Sequence, residues 1–234
     1  MNSLFSNPVR VFRYCTLGAL ILSIVQFLIF YISAGFLYES AAVTLLFPFV
    51  IDFIEGFFPI ASALIVFSTK AGGMKNKILP SLLISLPRMA YTFPYYYLFY
   101  VTDVFNSIEA LILSFAVSIL FVLLTSLQTF VCIYIINHVF STSETKKSHF
   151  EKAKIFDFDN AFNFGILLSS IFVFVIFFIR ELTATITFFV EVGSSYYIEE
   201  ILTIVLSYIL LPIFFFTHYS VCVLIKNKLI APKE

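Results

Sequence analysis

What most constrains this chain is its succession of apolar runs of about twenty residues or more, at Tyr14–Phe36, Ala41–Thr69, Ile78–Val101, Ile108–Val139, Ala161–Ile179 and Ile201–Ile225. Crossing about 30 Å of hydrocarbon takes roughly 20 residues of α-helix. Inside lipid the helix also closes its own backbone hydrogen bonds, which an isolated strand cannot do. With 61% hydrophobic and 12% charged residues, the expectation is an all-α, polytopic integral membrane helical bundle of six transmembrane helices. The connections are short, so residues 1–234 are read as a single membrane domain. A signal peptide would share the basic start at Arg10 and Arg13. The first run is too long for one, however, and Ser33-Ala34-Gly35 makes a poor cleavage site, so a retained first helix is expected. The stretch Leu182–Val192 is apolar but only 11 residues long between Arg180-Glu181 and Glu191. It reads either as interfacial or as an extension of the fifth helix.

Orientation follows from the basic residues. With six spans and a cytoplasmic N-terminus, twelve of the fourteen Lys and Arg residues fall inside: Arg10, Arg13, Lys70, Lys75, Lys77, Lys146, Lys147, Lys152, Lys154, Lys226, Lys228 and Lys233. Adding or deleting one helix would destroy that partition, so both termini are read as cytoplasmic. The loop 141–160 is the one sizeable polar connection, and its middle reads as a short helix lying on the membrane surface.

Asp52, Glu55 and Arg88 fall well inside two neighbouring apolar runs. Insertion scales put each such charge at roughly +2.5 to +3.5 kcal/mol, against about −0.3 to −0.6 for each Leu, Ile, Phe or Val. The roughly dozen strongly apolar residues from Leu45 to Val66 therefore barely offset two acids, and the arginine is the expected compensation. Asp52 and Glu55 share a helical face. At about 1.5 Å per residue Glu55 lies about 21 Å deep, Asp52 about 25 Å and Arg88 about 15 Å. The expected pair is Arg88 with Glu55, with Asp52 in reach if Pro48 and Pro59 bend the second helix. Two carboxylates and one cation in low dielectric would hold a shared proton. Such a group either clips two helices together or binds a solute or proton.

Around the triad, Ser81, Ser85, Arg88 and Thr92 follow helical spacing, with Tyr91 and Tyr95 beside them and prolines at 80, 87 and 94. They line either an aromatic belt or a cavity. Gln26 and Gln128 read as interhelical hydrogen bonders. Ser107, Ser114, Ser118, Thr125 and Thr129 form a small-residue seam suited to close helix packing. His218 is either a packed residue or a proton relay. Cys15, Cys132 and Cys222 show no metal or redox spacing.

No HExxH, GxSxG or phosphate-binding glycine loop occurs, so no enzyme, cofactor or metal is expected. Glu199-Glu200 and Phe214-xxx-His218 resemble fragments of the CAAX-protease-like membrane family. That family's arginine after the glutamate pair and its second helical histidine are absent. In size and helix count the chain is similar to the six-helix substrate-binding subunits of energy-coupling vitamin transporters, a likeness of architecture alone. The expected function is binding or transport of a small solute at a midplane site of Asp52, Glu55 and Arg88, lined by Tyr91, Tyr95 and Gln26. The alternative is a non-catalytic membrane subunit that meets a protein partner or a second copy through the 107–129 seam and docks cytoplasmic proteins on the 141–160 loop. The lipid bilayer is the expected surrounding in either case, with no nucleic acid. The Phe, Ile, Lys and Asn bias with few glycines points to an AT-rich, bacterial genome, and the expected location is a bacterial cytoplasmic membrane.

Overall fold

A computed structural model describes residues 8–36, 55–56, 58–64, 73–98, 107–142, 154–192 and 198–229. Asp52 and most of the 141–160 loop, including the surface helix expected there, lie outside these residues. Among the described residues the chain is helical, with no strand. Its helices are α1 (Pro8–Phe36), α2 (Ile78–Ser85), α3 (Met89–Tyr96), α4 (Ser107–Thr142), α5 (Ala161–Val192) and α6 (Ile198–Leu229). Three of them carry stretches long and apolar enough to cross a bilayer: Ile108–Val139, Ala161–Thr187 and Tyr208–Asn227. The chain is thus compatible with a membrane protein by helix length and composition.

Contacts group the chain into two compact units, Met1–Phe47 with Ala61–Tyr134, and Pro48–Ile60 with Ile135–Glu234. In the first, α1 packs along α2, α3 and the turn between them. The expected third helix is not continuous: Leu86–Arg88 forms a 3₁₀ turn between α2 and α3. Pro87 has no N–H to offer the carbonyl four residues back, so the backbone tightens to i→i+3 bonding for one turn. The Met89 N–H then bonds the carbonyls of Leu86 and Pro87. Each 3₁₀ residue turns about 120° rather than 100°, which helps set the direction of Arg88 at the end of that turn. The face of α4 bearing Leu111, Ile112, Phe115, Ile119 and Leu123 is exposed, as a lipid-facing stripe would be.

In the second unit α5 packs on α6. Their antiparallel pairing is marked at one end by Lys226 beside Asn160 and Asn163, and at the other by Thr185 and Tyr208, whose hydroxyls lie 3.2 Å apart. Between these ends Phe174 meets Phe215 edge-on at 5.6 Å. A Cβ on Gly165 would sit 3.1 Å from Ile136 Cα, so glycine is what lets α4 and α5 approach there. α5 continues to Val192, and Leu182–Val192 is therefore an extension of the fifth helix. Arg180 does not end that helix, because its guanidinium lies over the Phe177 ring at 4.6 Å and pairs with Glu55. No glycine or proline follows until Gly193.

Candidate functional site

Arg88 is 1% exposed, and its Nη1 donates to Gln26 Oε1 at 2.5 Å, joining the turn before α3 to α1. The guanidinium also lies 5.6 Å from the ring centroids of Tyr91 and of Phe121 on α4. A planar cation packed on aromatic rings and bonded to an amide is a stable way to hold charge away from water. Tyr91 is buried and leans on half-buried Tyr95, ring to ring at 5.4 Å. Gln26 is fully buried, as is Ser23 one turn earlier on α1. Because Gln26 Oε1 is engaged, its Nε2 faces its surroundings as a donor. Neither that nitrogen nor Ser23 Oγ has a hydrogen-bond partner among the described residues.

The polar stripe beside Arg88 is largely closed onto its own helix. Ser81 Oγ donates to the Lys77 carbonyl, Ser85 Oγ to Ser81, and Thr92 Oγ1 to Arg88, at 2.7 to 3.2 Å. These hydroxyls need no ligand to satisfy them. Lys77, in the 3₁₀ turn ahead of α2, is buried, and burial pushes its ammonium below its usual pKa.

On α4, Ser114, Ser118, Thr125 and Thr129 are buried within the chain, as is Cys132. Ser118 and Thr125 back-bond to Ser114 and Phe121, whereas Ser114 Oγ and Thr129 Oγ1 have no partner among the described residues. The side chain of Ser107 lies outside the described residues.

Glu55 belongs to the other unit. The ion pair seen for it is with Arg180 Nη1, at 3.4 Å, on side chains 17% and 43% exposed. The sequence expectation paired Glu55 with Arg88 by depth and proposed no partner for Arg180. Next to Glu55, a Cβ on Gly56 would fall 3.0 Å from the Phe177 ring and 3.3 Å from His218 Nε2. The imidazole is buried and set 4.0 Å from the Phe214 ring. Its Nδ1 lies 2.9 Å from the Phe214 carbonyl, a contact that requires Nδ1–H. In the neutral ring Nε2 is therefore the acceptor. His218 also lines a small cavity of about 10 Å³ with Ile60, Ser170, Val173, Phe174, Phe214 and Phe215. Ser170 Oγ there has no partner among the described residues.

A further polar cluster was not foreseen. Lys226 is 1% exposed. Its ammonium reaches Asn163 Oδ1 at 3.2 Å and Asn160 Oδ1 at 3.5 Å, and stands over the Phe162 ring. Asn160 caps α5, accepting from the Phe162 and Asn163 N–H groups. The signal was there: an asparagine just ahead of an apolar helix is a preferred N-cap. Among the described residues no group of three His, Cys, Asp or Glu side chains is placed to hold a metal ion.

Comparison with protein-family models, with curated proteins and with solved structures finds no match to this chain.

Proposed function

We propose that this chain is a six-span, non-enzymatic protein of a cytoplasmic membrane, built as one membrane domain with both termini inside, that binds or carries a small solute. The site is the intramembrane polar cluster around Arg88, with Gln26, Tyr91 and Tyr95. The observation that carries this reading is the buried Arg88 guanidinium held by the Gln26 amide. A charge that costs several kcal/mol to place in hydrocarbon is a functional candidate by default. An amide, a cation and two tyrosines together offer directional polar contacts within an otherwise apolar helix set.

The subunit reading ranks below it. Assembly through the α4 seam would use side chains that this chain already buries within itself, namely Ser114, Ser118, Thr125 and Thr129. A partner would have to cover the exposed leucine and isoleucine face of α4 instead, a face that lipid covers equally well.

Native mass spectrometry of the protein extracted in mild detergent tests both readings. A small adduct present on the wild type and lost from a folded Arg88→Met variant is the expected result. An adduct that Arg88→Met leaves in place would refute the site, and a stoichiometric protein partner without an adduct would favour the subunit.

A further inference from the structure

Residues 154–160 lead into α5 without regular structure, yet three of their carbonyls are bonded by side chains from the helices beneath. Tyr219 Oη donates to the Ile155 carbonyl at 2.5 Å. Asn163 Nδ2 donates to the carbonyls of Lys154 and Asp157 at 3.0 and 3.1 Å. The Asp157 N–H closes a turn onto Lys154. A loop in water needs no such provision, because water bonds its carbonyls. Non-helical backbone at membrane depth does need it.

The height of the segment can be read from α6. Lys226 meets the first turn of α5, whereas Tyr219, which holds Ile155, lies seven residues earlier in an apolar span, about 10 Å further along the axis. Side chains of a helix also lean toward its N-terminus, here away from the Lys226 end. In the run Phe156-Asp157-Phe158-Asp159 both phenylalanines are exposed, whereas Asp157 is half-buried. Both phenylalanine rings cover Tyr219, at 6.4 and 6.0 Å between centroids. Tyr219 is 1% exposed as a result, while Phe156 and Phe158 remain 63% and 45% exposed.

We propose that residues 154–160 form a re-entrant strap that folds back along α6, and that Phe156 and Phe158 rest against lipid at the boundary between headgroups and acyl chains. The occupant of this exposed aromatic face is the bilayer that α5 and α6 cross. The segment is tied to those two helices by Tyr219, Asn160 and Asn163, and its height is fixed by theirs. The inference does not depend on the solute reading.

The chain contains no tryptophan, so Phe156→Trp and Phe158→Trp each give a single-tryptophan reporter at a position with room for the larger ring. Each variant, reconstituted into phosphatidylcholine vesicles and shown to elute like the wild type, is read by fluorescence quenching. Expected is loss of most of the emission in lipids brominated near the headgroup, a smaller loss with bromines deep in the acyl chain, and little quenching by aqueous iodide. Strong iodide quenching with no effect of brominated lipid would overturn the proposal, because the strap would stand in water. Shielding from both quenchers would also overturn it, because protein rather than lipid would cover the face. Either reporter alone decides the matter if the other variant fails to fold.

Discussion

Gln26 and Ser23 provide a test of how the buried arginine is held, since both are 0% exposed on one face of α1 and differ in what they bond. Gln26→Leu withdraws the acceptor from Arg88 Nη1. A hydrogen bond to a charged group nets about 1.5–3 kcal/mol, and the substitution also removes a buried amide nitrogen that has no partner among the described residues, a relief of about 1 kcal/mol. The net expectation is a destabilisation of about 0.5–2 kcal/mol. Ser23→Ala deletes a hydroxyl that likewise has no partner there, so it should be neutral or stabilise by up to about 1 kcal/mol. The two variants should therefore differ by about 2 kcal/mol, or close to thirtyfold in the unfolding equilibrium constant. Unfolding of the purified protein in mixed micelles of a mild detergent and dodecyl sulfate, followed by circular dichroism, measures this. Equal effects, or a larger loss from Ser23→Ala, would refute the argument that the Gln26 amide is what stabilises the guanidinium.

Two further outcomes follow from contacts elsewhere. Gly165→Ala should lose the gain of up to about 1 kcal/mol that Gly→Ala brings in a helix, because its Cβ meets the Ile136 backbone at 3.1 Å; Gly18→Ala, with nothing within 4 Å, should keep that gain. Thermal unfolding in detergent reads the difference, and identical shifts would refute the close approach of α4 to α5. Tyr219→Phe takes the donor from the Ile155 carbonyl at a cost of about 1–3 kcal/mol. It should speed amide hydrogen exchange across 154–160 by about fivefold or more, and unchanged exchange would show that this bond does not hold the strap.

The all-helical character was legible in the sequence because helices of this kind leave long apolar runs, and α4 lies within a few residues of its expected bounds. One departure has a local cause. Pro87 divides the third segment by removing one donor, and its spacing alone did not say whether the helix would kink, tighten or continue. Whether the fifth helix ran past Arg180 was left open by the sequence; Phe177 and Glu55 accommodate that charge and α5 runs on. Pairing was harder to read. Depth counting matched Glu55 with Arg88, but depth is one coordinate and did not single out Arg180, the cation that Glu55 meets within its own unit.

The polar residues divide by reach, and that division ranks them as functional candidates. A serine or threonine in a helix can return its hydroxyl to the carbonyl four residues back, as Ser81, Ser85, Thr92, Ser118, Thr125 and Ser169 do. A stripe of such residues can therefore exist in lipid with no neighbour at all, and its helical spacing is weak grounds for a site. Gln26, Arg88, Asn163 and Lys226 carry longer polar side chains whose bonds run to other elements. Of these, Asn163 and Lys226 are engaged in building the junction of α5, α6 and the strap, a role that accounts for their burial. Arg88 and Gln26 join α1 to the turn before α3, and the same contact leaves the Gln26 amide nitrogen as a buried donor. A purely structural clip would be served by a shorter or apolar pair, which is why the proposed solute site is assigned to this cluster rather than to the one around Lys226.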